Sequence, residues 1–304
     1  MPTGSGQFHD APVAEATQES RLRFPLLVEN SAPMQTPSPL RNCLLLTAGA
    51  LLAIATASSA ETLGYTNTPF LPGGKWRVHD LNRPQPRKVT PGATFSDMAP
   101  APADAIVLFD GKDLSKWVGD KGAPTWKIEN GYMEVTPKSG SIRTRDNFGD
   151  FQLHLEFATP AKVEGDSQGR GNSGVIIFGE YEIQVLDCHN NPTYADGTVG
   201  AMYGQNPPRA NVARPPGTWQ TYDIIFEAPK MKDGKLDKPA QVTVLLNGVV
   251  QHHKQAFIGT VRHADLASYP RNPRSSGPIM LQDHNNPMRF RNIWIRPLGE
   301  YDQQ

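Results

Sequence analysis

Two stretches of this chain alternate apolar residues with polar ones that can bind or move protons. The first is Tyr181-Glu182-Ile183-Gln184-Val185-Leu186-Asp187. In an extended strand, Ile183 and Val185 face a core, so Glu182 and Gln184 project together from the other face, about 7 Å apart. The second is Ile279-Met280-Leu281-Gln282-Asp283-His284. Here Ile279 and Leu281 share one face, and Met280, Gln282 and His284 the other. Phe290-Arg291-Asn292-Ile293-Trp294-Ile295 sets Arg291 among apolar neighbours, and Gly171-Asn172-Ser173-Gly174 reads as a glycine-flanked turn that brings Asn172 beside Glu182. A face of carboxylate, amides, imidazole and guanidinium supplies the mixed donors and acceptors that pairs of hydroxyl groups demand. Tyr203 and Trp219, in turn-rich stretches, offer flat faces for a sugar ring. Glu182 and His284 are the expected proton-transfer groups. Asn172, Gln184, Asp187, Tyr203, Gln282 and Arg291 are the expected binding groups.

The elements that must position these residues are short strands. Thr125–Ile128 and Tyr132–Val135 flank Glu129-Asn130-Gly131, a hairpin signal. Phe151–Phe157 alternates, with Gln152, His154 and Glu156 opposite the apolar face. Val175–Phe178 and Tyr181–Leu186 are joined by Gly179-Glu180, and Asn247-Gly248 turns Val242–Leu246 back into Val249-Val250. Ile106–Phe109, Tyr222–Glu227, Ile279–Gln282 and Arg289–Arg296 complete roughly ten to twelve strands, with no amphipathic helix. This pattern predicts an all-β sandwich of two antiparallel sheets over residues 104–300.

Composition narrows the classes further. The 304 residues carry 30 Lys+Arg and 30 Asp+Glu, so the formal net charge is zero. That balance excludes a general nucleic-acid binder and an acidic disordered activator. The 27 glycines and 28 prolines exclude a coiled coil and suit turns or linkers. Residues 34–60 read as an export signal. Arg41 gives the positive end, an apolar run of about 15 residues follows from Cys43, and Ser58 and Ala60 stand at the cleavage positions. A membrane anchor is the alternative, but the run is shorter than the roughly 20 residues needed to span. Residues 1–33 then precede the signal, as if Met34 were the true start. The mature protein is expected in the periplasm or secreted, without a membrane-spanning segment. Cys188 is left as its single cysteine, so no intramolecular disulfide can form, and it reads as a small buried residue. Residues 61–103 form a Pro-rich extended arm. Within it Trp76–Asp80 can lie against the domain, and the rest reads as a polyproline-type spacer. His252-His253 reads as a solvated pair.

The ordered blocks also resemble a known family. Leu108-Phe109-Asp110-Gly111-Lys112-Asp113-Leu114-Ser115-Lys116-Trp117 is similar to the opening signature of the 3-keto-disaccharide hydrolase domain family. The similarity continues through Gly171–Gly174, Tyr181–Asp187, Gly200-Ala201-Met202-Tyr203-Gly204, Leu246-Asn247-Gly248, Gly277–His284 and Phe290–Ile293. The Pro-Gly-Gly-Lys-Trp-Arg-Val-His-Asp run of the arm resembles an extension carried by secreted bacterial members. The resemblance implies a concanavalin-like jelly-roll sandwich with a sugar site on its concave sheet. It also implies an enzyme that cleaves 3-keto-glycosides or 3-keto-disaccharides.

That family chemistry implies a single base removing the C2 proton made acidic by the C3 ketone, β-elimination of the C1 oxygen, and then hydration. Two other readings stay open. One is a carbohydrate-binding module without turnover. The other is a conventional endo-glycosidase, which for retention needs two carboxylates about 5–5.5 Å apart. Against the latter, Gln184 stands where a second carboxylate is wanted, and alternation turns Asp187 away from Glu182. No cofactor is evident. A divalent ion is a further option, because Glu182, Asp187, His189 and His284 are ligand-capable types.

Overall fold

The computed structural model describes residues 63–94 and 96–299. The predicted export signal and the segment before it lie outside the described residues. Fifteen strands follow along the described chain: β1 (Ile106–Phe109), β2 (Trp117–Gly119), β3 (Lys127–Glu129), β4 (Tyr132–Glu134), β5 (Ile142–Thr144), β6 (Phe151–Ala158), β7 (Asn172–Ile177), β8 (Tyr181–Leu186), β9 (Gln220–Glu227), β10 (Lys230–Lys232), β11 (Lys235–Lys238), β12 (Gln241–Leu246), β13 (Val249–Ala256), β14 (Ile279–Leu281) and β15 (Arg289–Pro297). The only helical pieces among the described residues are 3-10 turns at Ser167–Gly169 and Ala195–Gly197. No helix there is long and apolar enough to cross a membrane.

The strands form an all-β, jelly-roll sandwich. One sheet runs β13-β12-β9-β6-β15-β4-β3, with β1 also on β15; the other runs β2-β5-β14-β7-β8. Every pairing in both is antiparallel. The hairpin signals work through left-handed turn residues. Asn130 (φ +49°) and Gly131 (+78°) join β3 to β4, and Asn247 (+50°) and Gly248 (+76°) join β12 to β13. Between the sheets lies the core. Tyr181 packs on Phe226 (centroids 5.6 Å apart), Phe157 packs on Tyr222 (5.0 Å), and Ile183, Val185, Ile279 and Leu281 are fully buried. The Tyr222 hydroxyl crosses to donate to the Gln184 carbonyl at 2.6 Å. Inward Ile183 and Val185 therefore fix Glu182 and Gln184 on the outer face of the smaller sheet, as alternation predicts.

Three local readings change. Asn172–Ile177 is a strand, not a turn, because each residue from Asn172 to Ile177 pairs with β8 in unbroken register. His252 is buried rather than solvated; its Nε2 lies 2.9 Å from the Gly200 carbonyl, and burial pushes its pKa down to about 4. On β6, His154 and Glu156 lie opposite the core face yet are fully buried: the arm reaches Glu156 through the Met98 amide, and His154 stacks on Trp294 of β15 with centroids 5.2 Å apart.

The arm does not behave as a spacer. Val78 and His79 are fully buried, Arg83 donates to the Gln205 carbonyl, and Val89 pairs with Asn211. Further on, Ser96 donates to Thr221, and the Met98 amide donates to Glu156 at 2.7 Å. Its backbone polar groups thus find partners on the sandwich, as buried ones must.

Candidate functional site

β7, β8 and the end of β14 floor a cleft of about 300 Å³ on the outer face of the smaller sheet. β8 lies at that sheet's edge. The following loop covers the edge: the Gln184 amide donates to the Ala201 carbonyl, and the Tyr203 amide to the Glu182 carbonyl. That pairing brings the Tyr203 ring beside Glu182.

Glu182 is 7% exposed, and no group among the described residues hydrogen-bonds its carboxyl. Space for it comes from the neighbouring strand. A Cβ placed on Gly174 would stand 2.6 Å from Glu182 Oε1. Burial without a compensating partner pushes the Glu182 pKa up to about 8. The carboxyl is therefore mostly protonated at neutral pH. His284 sits at the exposed rim, and its ring is likewise without a hydrogen-bond partner among the described residues.

Amides line the adjoining wall. Gln184 donates to Gln168 Oε1 at 2.8 Å, Asn172 donates to the Gln168 carbonyl at 2.7 Å, and Gln168 in turn donates to Thr193 and the Gly197 carbonyl. Gln282 completes this polar lining. Tyr203 shares a 2.6 Å hydroxyl–hydroxyl hydrogen bond with Tyr194, and its hydroxyl lies 3.1 Å from His263 Nδ1. Burial raises the pKa of both phenols. Burial, with His79 and His284 nearby, lowers that of His263.

The cleft thus gathers Glu182, His284, Asn172, Gln184, Tyr203 and Gln282. Asp187 and Arg291 are not among its lining. Asp187 accepts from Arg170 Nε at 2.7 Å and from the His189 amide, so it fixes the turn after β8. Arg291 belongs to the other sheet, where β15 pairs with β6 and sets it opposite Glu156. Its guanidinium makes two 2.7 Å contacts to Glu156 Oε2 and lies 4.1 Å from the Trp219 ring centroid. Trp219 is therefore no platform in this cleft. The four ligand-capable side chains do not fit a shared ion, since Asp187 is held by Arg170; no group of three or more His, Cys, Asp or Glu among the described residues is arranged to hold a metal. Cys188 is buried, with its thiol pushed up to about 12 by burial, as a packing residue should be.

Gln168, Tyr194 and His263 line the cleft without any signal in the sequence. Gln168 comes from the 3-10 turn Ser167–Gly169 and the other two from loops, where neither period 2 nor period 3.6 marks a face. A larger hollow of about 480 Å³ lies between residues 88–91 of the arm and the loops at 188–190 and 211–218. Its Arg214 is already held by Asp97 at 3.0 and 3.1 Å. The smaller cleft has the convergent polar groups and the perturbed carboxyl expected of a site.

Residues 104–296 match the model of the 3-keto-alpha-glucoside-1,2-lyase-like domain. A solved structure of a candidate glycosyl hydrolase from Parabacteroides distasonis is 44% identical, covering 76% of this chain and 100% of its own, with a TM-score of 0.63. Two more candidate glycosyl hydrolases from the same organism are 21% and 25% identical. Each covers 64% of this chain, with 94% and 99% of their own lengths matched and TM-scores of 0.48. No curated protein matches. The family match spans the sandwich and every strand that floors the cleft, so the chain belongs to the 3-keto-alpha-glucoside-1,2-lyase-like domain family.

Proposed function

We propose that this protein cleaves 3-keto-glycosides by elimination at the cleft of β7, β8 and β14. The observation that carries the reading is Glu182. It is the single carboxyl among the described residues lining the cleft, it is buried and unpartnered, and its pKa is pushed up to about 8. A two-carboxylate glycosidase needs a second carboxyl that this lining does not supply. One neutral acid beside one free imidazole suits elimination instead.

In the proposed reaction His284 takes the C2 proton, and the electron pair of that bond passes toward the C3 carbonyl as an enolate. The enolate reforms the ketone as C1=C2 forms and the C1–O bond breaks. Glu182 gives its proton to the departing oxygen. Water then adds across C1=C2, with hydroxide at C1 and a proton at C2, giving net hydrolysis. Gln282, Gln184, Asn172 and the Tyr203 hydroxyl are the neutral donors available to the enolate and ring hydroxyls. The export signal read at residues 34–60 would deliver the enzyme to the periplasm or beyond. Mass spectrometry of the mature chain tests that, and a retained residue 34–60 segment would refute it.

The function is tested by incubating the protein with a 3-keto-disaccharide and with the unoxidised disaccharide. Release from the keto form alone supports elimination. Release from both indicates a conventional glycosidase, and binding without release indicates a module. Glu182→Gln should retain the fold and lose about 100-fold or more in kcat on the keto substrate.

A further inference from the structure

We propose that the arm completes the cleft: His79, clamped by Asp196, is a positioning residue that fixes the Tyr194–Tyr203 hydroxyl pair. The inference rests on the cleft being the site of reaction, and it extends the machinery beyond the sandwich.

His79 is held from two sides. Its backbone amide donates to Asp196 Oδ2 and its Nδ1 faces Asp196 Oδ1, both at 3.0 Å, and neither side chain is exposed. Asp196 follows Tyr194 closely, in the 3-10 turn Ala195–Gly197. The imidazole lies against Tyr194 at 4.0 Å between centroids, against Tyr203 at 4.9 Å and against His263 at 5.7 Å. Those three rings are joined through hydroxyls, Tyr194 to Tyr203 and Tyr203 to His263 Nδ1. A second arm residue, Tyr65, brings its hydroxyl within 3.5 Å of His263 Nε2. Ring packing leaves little slack, because a side chain at Gly197 would meet the Tyr194 ring.

Two features of His79 work against the fold. Its φ is +53°, a conformation that side chains with a Cβ avoid. Its Nε2 is buried without a partner among the described residues. A phenylalanine would fill the same space without an orphaned nitrogen. An imidazole tolerated in such a place is best explained by its bond to Asp196, which sets the ring plane and, through it, the tilt of both tyrosines. Tyr203 then presents its hydroxyl to the cleft in one orientation, with Tyr194 and His263 as its partners. Burial keeps both phenols protonated, so they serve as donors.

The test is a double-mutant cycle in the full chain, with His79→Phe and Tyr203→Phe alone and together. With a 3-keto-disaccharide, His79→Phe should lower kcat about 10–100-fold with KM changed less than about threefold. The double variant should be no slower than Tyr203→Phe, because His79 acts through that hydroxyl. Additive losses would overturn the proposal. Nitrogen NMR of the His263 ring, recorded without substrate, supplies a readout independent of turnover. Its Nδ1 signal should shift in His79→Phe, and an unchanged signal also overturns the proposal. If the wild type fails to cleave the keto sugar, the functional reading falls while the NMR arm still decides the role of His79. If His79→Phe does not fold, Asp196→Asn, which keeps the shape and removes the charge, takes its place in both measurements.

Discussion

The raised pKa of Glu182 depends on a neighbour with no side chain. Glycine in a strand interior costs roughly 0.5–1 kcal/mol relative to alanine, so Gly174 in β7 needs a reason. The reason is steric: the Glu182 carboxyl lies where a Cβ on residue 174 would be, 2.6 Å from Oε1. In Gly174→Ala the atom that must yield is the tip of a flexible side chain, so the fold should tolerate the change. Melting temperature should move by only a few degrees, since the propensity gain and the displacement oppose each other. The displaced carboxyl should reach water and recover an ordinary pKa. Loss of at least about tenfold in kcat, with the alkaline limb of the pH–rate profile moved toward acid, is the expected result. Wild-type kinetics in Gly174→Ala would show that the packing of these two residues is irrelevant to turnover.

At the scale of elements, the second sheet has a different task. On its outer face Glu156 gathers Arg291, Asn292 and the Met98 amide of the arm, and His154 bridges toward Asp223 at 2.8 Å. Burial works to raise the Glu156 pKa, but the nearby His154 imidazole and hydrogen bonds from Asn292 and Arg291 win and hold it down to about 2. This cluster latches the arm to β6 and β15. Arg291→Met removes the main counter-charge of a buried carboxylate and should cost about 3 kcal/mol in denaturant unfolding. Turnover per folded molecule should be unchanged, because Arg291 is on the other sheet from the cleft. A specific loss of kcat without loss of stability would return Arg291 to the site. The same contrast explains what the sequence can disclose. Strict alternation around Ile183 and Ile279 makes the cleft faces of β8 and β14 legible, since burial of one face determines the other. The burial of Glu156 and His154 is not legible, because Glu156 meets an arm more than fifty residues upstream and His154 meets Trp294 and Asp223 on neighbouring strands. Arg291 looks unpaired in its strand for the same reason: its partner is on β6. Likewise Asn172–Gly174 carries turn residues, and only pairing with β8 makes it a strand.

For the whole molecule, buried groups set how stability follows pH. Glu182 has a folded pKa of about 8 against an ordinary 4.5. Its contribution is full below about 4.5 and is lost as pH rises toward 8. His252 has a folded pKa of about 4 against 6.5, and Glu156 about 2 against 4.5. Their contributions are full above 6.5 and 4.5, and are lost as pH falls through 4 and 2. Between pH 4.5 and 6.5, Glu182 and His252 oppose each other, each with a slope of about 1.4 kcal/mol per pH unit. Stability should therefore vary little there, falling above about 6.5 through Glu182 and through His154, whose pKa is raised, against burial, by Asp223, and below about 4.5 through His252 and then Glu156. Glu182→Gln separates the two. It should remove most of the alkaline fall, leaving the part due to His154, and make the variant several kcal/mol more stable than wild type at pH 8 to 9. It should also expose the His252 slope as a rise between pH 4.5 and 6.5. Urea unfolding of both proteins across this range decides the matter, and an unchanged alkaline limb in Glu182→Gln would place the buried proton elsewhere. The gain in stability would come with loss of the proposed acid, the expected trade when a site holds a group in a state the fold disfavours.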